Sequence, residues 1–193
     1  MKKQVHYDVL SYVIHWLFAL AIIFQMLSAQ WMHHKIMPNA ELWTLKLFLF
    51  HKIFGVTVFF LLLAYLIRAA SLVEKDKFGH LFPYNKKGLS LVLDDLKILC
   101  HLQLPDRDFG GLAGLIQGLG FLLLFLVALL GTLWLVIPAN YIGASLLYII
   151  KKLHQFFAQI VWYYLAGHIG MFLIHVIVDK ISKNKMKNKT YNR

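Results

Sequence analysis

The stretch His154–His168 reads HQFFAQIVWYYLAGH, with no Asp, Glu, Lys or Arg between its two histidines. The apolar run that overlaps it, Phe156 to Val178, reaches the roughly 20 residues a helix needs to cross a bilayer core. Three further runs do the same, at about Tyr12 to Trp31, Leu47 to Ile67 and Leu112 to Ile137. Pro38, Pro83, Pro105 and Pro138 all fall between the runs, where a missing amide donor harms no helix. Composition agrees: of 193 residues 60% are hydrophobic and 15% charged, with mean hydropathy +0.64, too apolar for a soluble domain of this size. These features predict an all-α membrane protein, a four-transmembrane-helix bundle. Residues 8–179 form its single domain, residues 180–193 a basic cytoplasmic tail, and a long inner connection joins helices 2 and 3. The start, MKKQVHYDVLSYVIHW, has no small-residue cleavage pattern and reads as a retained first span.

The net charge of +11 has a membrane explanation. Fifteen of the twenty Lys and Arg lie before the first run, in the connection from Arg68 to Arg107, and in the tail. The other five are Lys35, Lys46, Lys52, Lys151 and Lys152. The positive-inside rule then puts both termini in the cytoplasm. No nucleic-acid recognition motif accompanies the charge, so nucleic acid is not an expected partner. Within the long connection, Leu89 to Leu104 has the pattern of an amphipathic helix, suited to the inner membrane face or to a partner protein.

Histidines carry the chemistry. Fourteen residues of helix rise about 21 Å in nearly four turns, so His154 and His168 share one face at two depths. On the predicted topology His51 opens the second helix just after Lys46 and His154 opens the fourth just after Lys152, both near the outer surface, while His15 and His168 both belong to the inner half. The pairs are therefore His51 with His154 outside and His15 with His168 inside. A titratable side chain within a span is costly and usually has a partner. Two neutral imidazoles suit the two axial positions of a haem iron and leave none open, which favours electron transfer. The single cysteine, Cys100, excludes CxxCH haem attachment and a cysteine-ligated cluster, so any haem must be held without thioethers, by axial ligands and packing. Gly55, Gly167 and Gly170 lie beside candidate ligands and let backbone approach a bulky planar group, and the third run, without a histidine, offers Gly114, Gly118, Gly120 and Gly131. Trp16, Phe54, Phe157, Trp162, Tyr163 and Tyr164 are candidate walls. The GLIQG segment reads equally as a helix contact or as haem packing. His175, seven residues beyond His168, is a candidate for a propionate contact or for quinone proton exchange. His6, His33, His34, His80 and His101 read as solvated.

IHW at His15 and Trp16, HKIFG at His51 to Gly55, and the His154 to His168 spacing together resemble the prokaryotic cytochrome b561 group. That group is similar in turn to the b-type membrane subunits of nickel-iron hydrogenases and formate dehydrogenases. The resemblance implies two haem b groups held by His15, His51, His154 and His168 in the pairing above. Family members often carry arginine fourteen residues after the second-helix histidine. That position is Tyr65 here, and the nearest arginine, Arg68, becomes the candidate for an inner propionate.

Three functions fit these residues. The first is electron transfer across the bacterial inner membrane between quinone and a periplasmic redox enzyme subunit docked near the outer lysines. The second is a stand-alone oxidoreductase in which those lysines steer superoxide and the electron passes to ubiquinone. The third is a haem-free proton-relay channel or transporter built on the histidines. It requires acids between the histidines, and no Asp or Glu lies inside the four runs.

Overall fold

The computed structural model describes residues 9–33, 42–70, 82–83, 85–101, 103–105 and 111–191, with side chains described over 13–32, 42–67, 82–83, 85–101, 103–105, 111–178 and 180–181. No strand occurs among the described residues. The helices are α1 (Val9–His33), α2 (Leu42–Ala70), α3 (Lys86–Cys100), α4 (Gly111–Val136), the single turn α5 (Ala139–Ile142) and α6 (Ala144–Tyr191). Four of them are long and apolar enough to span: Val13–Met32, Leu42–Ile67, Gly111–Val136 and Ala144–Val178.

Two of these spans begin earlier than the apolar runs. α2 starts at Leu42 rather than Leu47, and α6 at Ala144 rather than Phe156. The cause is that Lys46, Lys151 and Lys152 lower hydropathy without breaking a helix. Lysine is a good helix former whose ammonium can snorkel to the interface. His51 and His154 therefore do not open their helices but lie nine and ten residues beyond the first helical residue. At the other end, the basic segment from Lys180 continues α6 as far as Tyr191, since it holds neither proline nor glycine.

The chain divides into two compact units. The first comprises residues 1–64 and 125–155, the second residues 65–124 and 156–193.

In the first unit, α1 turns Ile22, Met26, Ser28 and Met32 inward. α2 meets it with a stripe at helical spacing: Thr44, Val58 and Leu62 are buried, and His51 and Gly55 lie on the same line. Phe24 contacts Phe54 with ring centroids 5.4 Å apart, and Phe59 stacks on Phe125 at 5.6 Å. α4 ends before Pro138, and the chain turns into α6 at Gly143, whose φ of 80° and ψ of 150° suit only glycine.

In the second unit, α4 begins with buried Gly111, Gly114 and Gly118 on one face, followed by buried Gly120. Both glycines of the GLIQG segment, Gly114 and Gly118, are thus buried. Tyr164 of α6 lies against Gly120, and Tyr65 packs on Phe121 at 5.1 Å. α3 docks through buried Val92 and through Asp95, whose Oδ2 accepts a hydrogen bond from the Leu112 amide at 2.8 Å. That carboxylate satisfies one of the orphan donors at the start of α4 and lies at the positive end of its dipole. Leu89, Leu93 and Leu96 form an exposed stripe on α3. The amphipathic helix expected over Leu89 to Leu104 is present but runs Lys86–Cys100, starting at the Asn85 cap and ending before Pro105, and is held by its acidic side chain to α4.

Large apolar side chains remain exposed along the spanning helices, Leu17, Leu20, Phe60, Leu61, Tyr163 and Phe172 among them. Such surface is incompatible with water and appropriate to lipid, where each helix satisfies its own backbone.

Candidate functional site: paired histidines on two spanning helices

His51 and His154 belong to the first unit, on α2 and α6. His154 is among the groups whose charge acts on the His51 imidazole. Both are partly buried.

The His154 Nδ1 lies 2.8 Å from the Val127 carbonyl oxygen of α4. A carbonyl can only accept, so Nδ1 carries the proton and a neutral ring keeps its lone pair on Nε2. The ring fits there because residue 131 is glycine: a Cβ at that position would stand 2.9 Å from His154 Cε1 and 3.1 Å from Nδ1.

The His51 Nδ1 lies 2.9 Å from Ser28 Oγ, and Ser28 Oγ is 3.0 Å from the Gln25 carbonyl oxygen. The hydroxyl has one proton. It donates that proton to the Gln25 carbonyl and so accepts from His51 Nδ1–H. Nε2 is again the free lone pair. The Gln25 amide closes the circuit by donating from Nε2 to the His51 carbonyl oxygen at 3.1 Å. Gly55 faces this amide, with its would-be Cβ 3.5 Å from Gln25 Nε2. The open side expected to admit a planar group there instead accommodates a glutamine.

Two histidines from different helices, each with Nδ1 engaged and Nε2 left over, are donors of the kind a metal with two axial positions takes. A second partner at Nδ1 is also what sets the tautomer and basicity of a metal-bound imidazole. Among the described residues no group of three or more His, Cys, Asp or Glu gathers as a metal site. A porphyrin iron brings its own four nitrogens and would need only two such imidazoles.

The family model described as prokaryotic cytochrome b561 matches residues 6–189. The chain belongs to the prokaryotic cytochrome b561 family. No curated protein and no solved structure matches it. Membership makes this cytochrome b561 relative a multi-pass membrane protein that binds b-type haem and transfers electrons across the membrane. The donor chemistry of the two Nε2 atoms of His51 and His154 fits such a group.

In the second unit His168 is partly buried on α6 and stacks on Tyr164 one turn earlier, with ring centroids 5.8 Å apart and planes at 24°. His154, Val161, His168 and His175 follow one another at seven-residue steps, and Val161 between them is fully buried. At Gly167 and Gly170 a Cβ would meet no described atom within 4 Å, leaving space on either side of His168. His175 is partly buried.

His15, in the first unit, is exposed on α1 with its ring edge-on to Trp16 at 6.1 Å. Of the candidate walls, Tyr163 is 78% exposed, and Trp16 and Phe54 are also exposed, while Phe157, Trp162 and Tyr164 are partly buried. His101 is exposed and caps its own helix through Nδ1, 2.8 Å from the Lys97 carbonyl oxygen. The side chains of Arg68 and His33, and all of His6, His34, His80 and Lys35, lie outside the described residues.

Gln25 and Ser28 had not been singled out from sequence. A signal existed: they form a polar pair three residues apart in an apolar run, where uncompensated polar groups are expensive. Val127 carried no such signal, since it contributes through its main chain.

Proposed function

We propose that this cytochrome b561 family member carries electrons across the bacterial inner membrane between a quinone pool and a redox partner, using two haem b groups. His51 and His154 are the axial ligands of one. His15 and His168 are the ligands of the other, on the sequence argument of depth and family resemblance. Residues 8–179 act as one di-haem domain with both termini cytoplasmic and residues 180–193 as a basic tail. On this reading Arg68 and His175 serve an inner propionate or the quinone, and a periplasmic enzyme subunit docks on the opposite side.

The observation that carries the reading is the His51 and His154 pair, with both Nδ1 protons engaged and both Nε2 lone pairs left over. When bound, a bis-imidazole haem supplies a one-electron couple without an open coordination position. The protein's part is to hold the rings. Val127 and Ser28 fix the tautomers, Gly131 makes room, and the apolar faces of the spanning helices keep water away. The lysines expected on the periplasmic side support that placement of the interface. Lys52 lies over Phe48 at 4.7 Å, Lys151 over Trp134 at 5.6 Å and Lys152 over Tyr148 at 5.4 Å. Lys46 borders an open apolar cavity of about 240 Å³ with Trp31, Trp43, Leu47 and Phe50. Lysine and tryptophan together are the composition of a membrane–water boundary.

A pyridine haemochrome assay on the purified protein tests the reading, with two haem b per chain expected. His51→Ala and His154→Ala should each remove the same haem, and His15→Ala and His168→Ala the other. One haem per chain, or pairing of any other kind, rejects the ligand assignment.

A further inference from the structure

The two histidines of the His51/His154 pair are held in different ways. His154 Nδ1 donates to a main-chain carbonyl, which no substitution at Val127 removes. His51 Nδ1 donates to a side-chain hydroxyl, which one substitution deletes. That hydroxyl is itself anchored, since Ser28 Oγ gives its only proton to the Gln25 carbonyl at 3.0 Å. It therefore acts toward His51 purely as an acceptor. Ser28 is 1% exposed, so no solvent molecule replaces it readily. The Gln25 amide, bonded to the His51 carbonyl at 3.1 Å, ties the same two helices from the other side. Gln25 and Ser28 thus grip His51 at both its backbone and its ring.

We propose that Ser28 is a positioning residue that holds His51 in its Nδ1-protonated tautomer and sets the reduction potential of the haem bound there, with Gln25 keeping α1 in register. The proposal rests on His51 being an axial ligand, as above. An acceptor on Nδ1–H pushes electron density into the imidazole and makes Nε2 a stronger donor, which favours the ferric over the ferrous state. Ser28→Ala removes the acceptor without adding bulk, so the potential of that haem should rise. The expected size is about a threefold to tenfold increase in the ratio of reduced to oxidised haem at fixed ambient potential, the range one ordinary hydrogen bond spans. Ser28→Thr keeps the hydroxyl and should return the ratio to the parent value.

The experiment is a spectroelectrochemical titration of the haem-loaded protein and its two Ser28 variants in detergent, with low-temperature electron paramagnetic resonance of the ferric form. Alongside it, ¹⁵N spectra of histidine-labelled, haem-depleted protein report the His51 tautomer. Support is a raised potential and altered ferric signal in Ser28→Ala, loss of the fixed tautomer, and restoration of all three in Ser28→Thr. If Ser28→Ala instead drops the haem, restoration by Ser28→Thr supports the role, and failure to restore overturns it. Unchanged potential in Ser28→Ala also overturns it. His51→Ala separates the two levels: if it retains both haems the ligand reading fails, whereas an inert Ser28→Ala beside a haem-losing His51→Ala sinks only the role of Ser28.

Discussion

At the scale of single residues, the site depends on small groups in specific places. Gly131 is the clearest. Its missing side chain is the space His154 Cε1 occupies, 2.9 Å from where a Cβ would be. Gly131→Ala forces the ring or α4 to give way and strains the 2.8 Å bond to Val127. Overpacking of this kind costs about 1–3 kcal/mol. The expected result is a fall in haem content at the His51/His154 site, read as loss of one haem's share of the reduced-minus-oxidised spectrum. A Gly131→Ala protein with full haem content would show that the ring does not sit against α4.

At the scale of elements, the ends and corners of the helices are where local chemistry can be tested apart from the site. Asp95 of α3 accepts from the Leu112 amide at the start of α4. Asp95→Ala should lower stability by about 1 kcal/mol, the usual value of a lost helix cap, whereas Asp95→Asn retains an acceptor and should lose less. Thermal unfolding in detergent distinguishes the two. Gly143, with φ of 80°, turns the chain into α6. Gly143→Ala places a Cβ in a conformation only glycine adopts easily, at a cost of about 1–3 kcal/mol. Its unfolding temperature should fall while the haem spectrum stays unchanged, since the turn precedes His154 by eleven residues. A spectral change would mean that the corner itself sets the position of the histidine.

At the scale of the whole molecule, cofactor and fold are linked. A ligand that binds only the folded state stabilises it by about 4 kcal/mol at a thousandfold excess over its Kd. Protein produced under haem limitation should therefore unfold at a lower temperature than loaded protein. Adding hemin should restore the difference, and His51→Ala should abolish the part due to that site. Identical unfolding temperatures with and without haem would contradict ligation by side chains from two separate helices.

The helical class and the number of spanning helices were legible in sequence, because lipid imposes a length and a polarity rule on every crossing segment. The seven-residue line of His154, Val161, His168 and His175 was equally legible, as helix geometry alone puts these residues on one face. The starts of α2 and α6 were misread because hydropathy counts a lysine as a boundary, while a helix does not. Tertiary structure alone decided which groups meet the imidazoles: Ser28 and Gln25 from α1, the Val127 carbonyl and the gap at Gly131 from α4. Those partners lie 23 to 27 residues away along the chain, on other helices. One of them is a main-chain oxygen that every residue possesses. Local pattern shows which face of a helix is packed, but hydrogen-bond partners on that face are fixed by the rotation and register of its neighbours, and these exist only once the helices have assembled.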